Sequence, residues 1–281
     1  MKHAIIISAS SDIGAALAKK WSGEGWKVYG TYRTQSPLVS ELAHPFGVQL
    51  VPCDLTDGSS LTSACLALNQ LCPQWDVLVM APGTVEPIGS FQELDFDRWE
   101  EGIQVNFLRQ LKIVHQLLPS RNLAAPLEPV VLFFAGGGTN NAVLNYSSYT
   151  ISKIALVKMC EFLDAEIPDT RFVILGPGCV KTKIHEPTLK LAQETKHAQY
   201  KKTLERLQNE SQCVPMDQVV DSCHWLVTTQ CKQVRGRNFS TAFDPWGSKL
   251  LEKELELDPD MYKLRRHKNN WAPIGGKRCQ Q

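Results

Sequence analysis

Short runs of consecutive apolar residues recur along the chain, and most are followed by a stretch with helical periodicity. Strands are predicted over residues 4–7, 28–32, 49–53, 76–81, 130–135, 172–175 and 236–240. Helices are predicted up to about residue 22 and over 61–71, 96–118, 148–167 and 216–228. The strands are continuously apolar, which is typical of a parallel sheet covered on both faces. This alternation predicts right-handed βαβ units and one doubly wound, Rossmann-type α/β fold with helices on both faces.

Small and glycine residues follow five of these strands. A doubly wound sheet binds its ligands outside the carboxyl ends of its strands, so these segments are candidates for a binding site. They are Ser8 to Gly14, Asp54, Ala81-Pro82-Gly83, Gly136-Gly137-Gly138 and Pro177-Gly178. Glycine also serves as ordinary loop punctuation, but its recurrence after five strands favours close backbone approach to a ligand.

Tyr149 and Lys153 are four residues apart in a predicted helix, so both side chains lie on one helix face. A free tyrosine has a pKa of about 10, and a nearby cation lowers it. A tyrosine adjusted in this way exchanges a proton with a substrate oxygen. A solvated surface pair has the same spacing, so the pattern depends on the residues around it.

Composition excludes several other classes of function. The chain has 281 residues, 43% apolar and 21% charged, with a formal net charge of +1, so nothing indicates a nucleic-acid partner. None of the nine cysteines forms a C-x-x-C pair, which favours reduced thiols in a cytoplasmic protein. Neither a secretory signal nor a membrane span is expected. No metal site is predicted, and His185 and His197 are interpreted as surface histidines.

Over about residues 3 to 245, the chain resembles the short-chain dehydrogenase/reductase family. Tyr149 and Lys153 match the family's Tyr-x-x-x-Lys, and Asn106 matches the asparagine of its central helix. The resemblance implies a nicotinamide cofactor and hydride transfer at a carbonyl or hydroxyl carbon. It implies that Tyr149 handles the proton, while Lys153 holds the nicotinamide ribose and lowers the tyrosine pKa. Asn106 is expected to position a water that leads to Lys153.

The resemblance also implies a set of cofactor-binding residues beside Tyr149 and Lys153. They are Ser8, Ser10, Ser11, Ile13, Gly14, Arg33, Asp54, Leu55, Ala81, Gly83, Pro177, Gly178, Val180 and Thr182. The first loop departs from the family's Thr-Gly-x-x-x-Gly-x-Gly, since only its last glycine is kept, as Gly14. Ser8 must therefore hold a backbone shape usually left to glycine. The helix N-terminus still offers N–H groups and a positive dipole end to a pyrophosphate.

The family's catalytic serine is absent, because Gly136 stands thirteen residues before Tyr149. Losing one donor to a developing oxyanion costs several kcal/mol. We expect Thr139 or the backbone of the glycine loop to substitute, with Asn140, Asn141 and Ser147 as alternatives.

The residues after the second strand predict cofactor choice. NAD sites place a carboxylate there, whereas NADP sites use a nearby arginine for the 2′-phosphate. This chain has Arg33 and no acidic residue between positions 29 and 34, which predicts NADP over NAD, with NAD as the alternative.

The predicted organisation is a catalytic domain over 1–245, with a lid at 183–212, and a C-terminal extension over 246–281. The basic run at 263–268 is interpreted as a solvated tail, an anion site or a cover for a neighbouring subunit. The resemblance implies a homodimer or homotetramer, with Leu108, Leu111, Ile154 and Leu156 either forming the interface or facing the sheet.

Three functions are compatible with these residues. The first is an NADP-linked oxidoreductase acting on a small carbonyl or secondary alcohol, with a leaning toward sugar-like substrates. The others are an epimerase or lyase that uses nicotinamide transiently, and a catalytically quiet dinucleotide-binding protein. Tyr149, Lys153 and Asn106 together favour an enzyme, because a binding protein needs no proton relay.

Overall fold

The computed structural model describes residues 1–195 and 198–267. Its seven parallel strands form one sheet in the order β3-β2-β1-β4-β5-β6-β7. The strands are β1 (His3–Ile7), β2 (Lys27–Tyr32), β3 (Gln49–Pro52), β4 (Val77–Met80), β5 (Val130–Phe134), β6 (Arg171–Gly176) and β7 (Asn238–Ser240). The strand order reverses direction between β1 and β4, so the predicted doubly wound fold is confirmed and its switch point lies there.

Helices cover both faces of the sheet. They are α1 (Asp12–Gly23), α2 (Pro37–Ala43), α3 (Gly58–Leu71), α4 (Phe96–Ile103), α5 (Arg109–Leu117), α6 (Ser147–Glu166), α7 (Glu186–Thr195), α8 (Ala198–Gln208), α9 (Met216–Thr228) and α10 (Lys249–Leu257). The helix predicted over 96–118 is interrupted by a π-helix at Gln104–Leu108. Neither α2 nor α10 was predicted. The predicted lid contains α7 and α8.

The core lies in two layers, one on each side of the sheet. Ile6 and Val79 pack with α1, α2, α9 and α10, whereas the neighbouring Ile5 and Leu78 pack with α3, α5 and α6. Successive strand residues point to opposite faces, and both faces are buried. This double burial explains why the strands are continuously apolar in the sequence.

The helix residues considered for a subunit interface are divided between core and surface. Leu156 is fully buried and Leu111 packs against the second layer, so both face inward, whereas Leu108 remains 43% exposed. All eight cysteines within the described ranges are free thiols. Among the helices of the described residues, none combines the length and apolarity needed to cross a bilayer.

Candidate active site

The loop between β1 and α1 adopts the conformation that the sequence requires of Ser8. This residue has a φ of +61°, in the left-handed region that favours glycine. Its N–H donates to Thr31 Oγ1 at 2.8 Å, which fixes the loop on β2. Ser11 caps α1 by accepting from the Gly14 N–H at 3.1 Å. A Cβ at Gly14 would lie 2.5 Å from the Ser8 carbonyl oxygen, so this position requires glycine.

Asp12 connects this loop to the start of the lid. Its Oδ2 accepts from the Lys183 N–H at 2.7 Å, although the two residues are 171 positions apart. Asp12 stands where the family's loop has its second glycine, at the positive end of the α1 dipole. The carboxylate is therefore engaged with the lid backbone.

Tyr149 and Lys153 lie one turn apart on α6, as predicted. The Lys153 ammonium nitrogen is 5.8 Å from the centre of the Tyr149 ring, and the lysine is 3% exposed. Burial raises the pKa of Tyr149 to about 12 and lowers the pKa of Lys153 to about 8. Desolvation disfavours the charged form of each group. A lowering of the tyrosine pKa by Lys153 stays a prediction.

Asn106 is fully buried within the π-helix and holds the segment after β4. Its Oδ1 accepts from the Thr84 N–H at 2.9 Å, and its Nδ2 donates to the Thr84 carbonyl at 2.9 Å. A Cβ at Gly83 would lie 3.8 Å from Lys153 Nζ and 3.9 Å from Asn106 Oδ1. The structure therefore brings Asn106, Gly83 and Lys153 together, with the asparagine side chain engaged by the backbone of Thr84.

Gly136 lies directly against the tyrosine hydroxyl. A Cβ at this position would lie 2.8 Å from Tyr149 Oη and 2.9 Å from Lys153 Cγ. The side chain of a serine therefore has no room here unless Tyr149 moves. The glycine at position 136 is therefore compatible with this position of the phenol, whereas a larger residue is not.

The candidate substitutes for that serine occupy different environments. Thr139 is half-buried, one residue beyond Gly138, whose φ is +102°. Asn140 and Asn141 are exposed. Ser147 Oγ accepts from Trp99 Nε1 at 3.0 Å, so it is engaged by another helix. A role for Thr139 or the glycine-loop backbone stays a prediction.

An apolar wall surrounds the Tyr149 ring. We use this name for one small cluster that packs with the tyrosine: Val85, Ile88, Val143, Tyr146, Ile184 and Leu191. Tyr146, the residue before α6, is buried and its hydroxyl donates to Thr188 Oγ1 on α7 at 3.0 Å. The space beside the tyrosine is therefore bounded by hydrocarbon from the β4 segment, the glycine loop and the lid.

The remaining predicted cofactor residues lie along the carboxyl edge of the sheet. Arg33 is exposed immediately after β2, and Asp54 Oδ1 accepts from the Thr56 N–H and hydroxyl at 2.9 and 2.8 Å. Gly178 has a φ of +79° in the loop after β6. The residues set along this edge are Ser8, Ser10, Ser11, Ile13, Gly14, Leu55, Ala81, Pro177, Val180 and Thr182.

These residues suit a nicotinamide dinucleotide. The N-terminus of α1 faces this edge, the glycine-only position at Gly14 allows close approach, and Gly83 leaves space beside Lys153. Arg33 supplies a cation at the end of β2, where the adenosine ribose of such a cofactor lies. Lys153 would hold the nicotinamide ribose, as the resemblance implies.

The interpretation of His185 as a surface residue is wrong. Its ring is half-buried and Nε2 lies 3.0 Å from the Val180 carbonyl oxygen, within hydrogen-bond reach. Burial lowers the pKa of His185, which favours the neutral ring. The helical turn after Thr182 folds back and brings the histidine onto the loop. His197 lies outside the described residues.

The doubly wound parallel sheet, with its helix N-terminus and its tyrosine and lysine at the carboxyl edge, defines a Rossmann-type α/β protein. A family model described as short chain dehydrogenase matches residues 2–192. The chain belongs to the short-chain dehydrogenase family.

The chain is similar to several oxidoreductases of microbial origin. It is 27% identical over 157 residues to the uncharacterized oxidoreductase YIR035C of Saccharomyces cerevisiae, covering 55% of this chain and 60% of that protein. It is 30% identical over 119 residues to a serine 3-dehydrogenase of Agrobacterium fabrum, covering 41% and 47%. The chain thus spans about half of the length of these relatives. The crystal structure of the yeast protein superposes with a TM-score of 0.75 at 22% identity, covering 87% of this chain and 97% of that one.

Sequence reasoning missed three parts of the site. Gln110, buried on α5 beside Asn106, had no motif to mark it. The contact of His185 with Val180 depends on a short turn that periodicity does not detect. The apolar wall gathers residues from separated segments of the chain, so no local pattern in the sequence marked it.

Proposed function

We propose that this protein is an NADP-linked oxidoreductase that interconverts a carbonyl compound and a secondary alcohol. The observation that carries the proposal is the convergence of Tyr149, Lys153, Gly83 and Asn106 at the carboxyl edge of the sheet. The bound dinucleotide supplies or accepts the hydride. The protein binds and orients the reactants and provides the proton.

Tyr149 is the proton donor to the carbonyl oxygen. With a pKa of about 12, its hydroxyl is protonated at neutral pH, which suits the direction of carbonyl reduction. Lys153, with a pKa of about 8, is still mostly charged at pH 7 and stabilises negative charge that develops on the tyrosine oxygen. Two desolvated titratable groups with shifted pKa values in one site support proton-transfer chemistry.

The apolar wall supports a substrate with an apolar substituent next to its carbonyl. A sugar-like substrate would place hydroxyl groups against Val85, Ile88 and Val143, where unpaired polar groups are costly. An alkyl or aryl ketone or aldehyde instead gains from burial at about 25 cal/mol per Å². We therefore favour apolar carbonyl compounds over the sugars toward which the sequence leaned.

The test combines a substrate panel with Tyr149→Phe. NADPH oxidation is followed at fixed pH with alkyl and aryl carbonyls and with sugars. We expect turnover with the apolar compounds, and a loss of at least about 10²-fold in kcat for the variant, because general acid catalysis contributes roughly that much. NADPH binding, measured by fluorescence, should be retained.

Three results would contradict the proposal. Equal turnover by wild type and Tyr149→Phe would remove the tyrosine from the chemistry. NADPH binding without oxidation by any carbonyl would instead indicate a binding protein, and product formation without net NADPH consumption would indicate an epimerase or lyase.

A further inference from the structure

Gln110 is a fully buried amide next to the proton-transfer residues. It lies on the first turn of α5, directly after the π-helix that contains Asn106. Its Nε2 donates to the Asn106 carbonyl at 2.8 Å and to the Pro82 carbonyl at 3.3 Å. One amide group therefore joins the central helix to the turn after β4.

The two carbonyls belong to the central helix and to the turn that lies beside Lys153. Asn106 already holds Thr84 through two hydrogen bonds, and Gln110 adds a third connection at Pro82. Gly83 lies between these two attachment points, and it is the residue against the Lys153 ammonium. Short π-helical segments often occur at functional sites, and this one presents the Asn106 carbonyl to the amide.

The oxygen atom of the Gln110 side-chain amide is in a different environment from its nitrogen. Its Oε1 is buried and has no hydrogen-bond partner among the described residues. A buried acceptor without a partner lowers stability. Two donated hydrogen bonds to carbonyls of the site provide a reason for keeping the amide.

We propose that Gln110 is a positioning residue of the proton-transfer site. By fixing the Asn106 and Pro82 carbonyls relative to each other, it holds the turn with Gly83 against Lys153 and keeps water away from the ammonium. Its importance for turnover rests on the proposed function, but its effect on the environment of Lys153 does not.

Loss of the amide therefore has a defined expected direction. If the turn separates from the central helix, water reaches Lys153 and the desolvation that lowers its pKa is relieved. The pKa of Lys153 then rises from about 8 toward its ordinary value of 10.5. A group displaced from its productive position also reduces catalysis, on the order of tenfold or more.

The experiment compares Gln110→Met with the matched control Gln116→Met. Gln116 lies on the same helix and also has a buried Oε1 without a partner among the described residues. Lysine labelled with ¹³C at Cε is titrated by NMR, with the Lys153 signal assigned from its absence in Lys153→Met. We expect Gln110→Met to raise the Lys153 pKa by about one pH unit or more, and Gln116→Met to leave it unchanged.

Steady-state kinetics on the full-length variants provide the second measurement. For Gln110→Met, kcat should fall by about tenfold, because the affected turn positions Lys153. If Gln110→Met does not fold, Gln110→Asn replaces it. That variant keeps the amide but retracts it, and should shift the pKa in the same direction.

The outcomes separate the two proposals. An unchanged Lys153 pKa in a folded Gln110 variant overturns the positioning role, whatever the activity. A lower melting temperature with an unchanged pKa shows that Gln110 only stabilises the fold, and also overturns it. A shifted pKa in a protein that reduces no carbonyl supports the role of Gln110 and contradicts the proposed function alone.

Discussion

The Tyr149 hydroxyl and the Cα of Gly136 occupy adjoining space, and this contact determines which side chains position 136 accepts. A Cβ there lies within 2.9 Å of both Tyr149 and Lys153. We predict that Gly136→Ser, which restores the family's residue, lowers kcat by about tenfold or more because it displaces the proton donor. Steady-state NADPH oxidation with an apolar ketone measures the effect.

Gly137→Ser is the matched control for this substitution. A Cβ at Gly137 meets nothing within 4 Å, so the same chemical change should leave kcat nearly unaffected. Higher activity in Gly136→Ser than in wild type would show instead that the tyrosine side chain moves easily and that a serine hydroxyl is useful here.

Lys153 is expected to lower the free energy of unfolding, although it belongs to the candidate active site. Its pKa is about 8 in the folded protein and 10.5 when unperturbed, so the unfolded chain binds more protons between these values. Stability therefore rises with pH across this window, and at pH 7 the folded state carries a desolvated charge. We predict that Lys153→Met raises the free energy of unfolding at pH 7 by on the order of 3 kcal/mol.

The pH dependence distinguishes this explanation from a general packing effect. The stability gained in Lys153→Met should shrink as the pH rises from 8 toward 10, when wild-type Lys153 loses its charge in the folded state. Urea unfolding at several pH values measures the gain. Lys112→Met, at an exposed position on α5, is the control and should not show this trend.

At the scale of elements, the connection from β2 to α2 leaves the side chain of Arg33 accessible to a ligand. The side chain is exposed directly after the strand, and Ser36 then caps α2 by accepting from the Val39 N–H at 3.4 Å. Pro37 begins the helix with a preset φ. No carboxylate lies between Thr31 and Pro37 to repel a 2′-phosphate.

We predict that Arg33→Ala weakens NADPH binding by roughly tenfold and leaves NADH binding nearly unchanged, because only NADPH carries the phosphate that the guanidinium pairs with. Fluorescence titration of each nucleotide gives the two dissociation constants. Arg98→Ala removes an exposed arginine from α4 and serves as the control. Equal loss of affinity for both nucleotides would contradict a 2′-phosphate contact.

The elements that could be predicted are those whose burial produces a recognisable pattern of apolar residues in the sequence. All seven predicted strands are found, and those in the middle of the sheet are continuously apolar because they are buried on both faces. The helix α2 was missed because seven residues are too few to establish periodicity. The π-helix was missed because its extra residue per turn depends on packing, and Gln104–Leu108 has an ordinary helical composition.

The site was predictable in its residues but less so in its energetics. Tyr149, Lys153 and Asn106 were found by spacing and resemblance, and the left-handed Ser8 followed from the missing glycine. The direction in which the tyrosine pKa shifts could not be predicted. A sequence indicates that a cation is near, but it does not indicate how much water is excluded from the site. Gln110 was missed for a similar reason, since its role comes from two carbonyls that only the fold brings together.

At the scale of the whole molecule, the segment after β7 is attached to both layers. Leu251 and Leu255 of α10 are 1% exposed in the first core layer. Buried Arg237 donates to the carbonyls of Leu255, Asp258 and Met261, which satisfies the end of α10. The chain then crosses to α6, so its final described residues contact the helix that carries Tyr149 and Lys153.

Arg265 makes that last contact. Its two terminal nitrogens donate to Glu161 at 2.7 and 3.0 Å, and its Nε donates to Asp260 at 2.7 Å. Hydrogen bonding to Arg265, with a further contribution from Lys158, lowers the pKa of Glu161 to about 2. Arg265 in the basic run is therefore paired within its own chain, and is less free to bind an anion than the sequence suggested.

This pairing predicts a specific loss of stability at acid pH. A carboxyl whose folded-state pKa is depressed contributes stability above its ordinary value of 4.5, and this contribution disappears as the pH falls toward 2. Glu161→Gln should therefore lower the free energy of unfolding by roughly 1 kcal/mol at pH 7, because the pair is partly solvated, and by progressively less below pH 4.5. Urea unfolding at pH values from 3 to 7 measures the difference in free energy of unfolding between Glu161→Gln and wild type. Glu166→Gln, at an exposed position on the same helix, is the control. A difference from wild type that stays constant down to pH 3 would show that Glu161 acts through packing on α6 and that its charge does not hold the C-terminal segment in place.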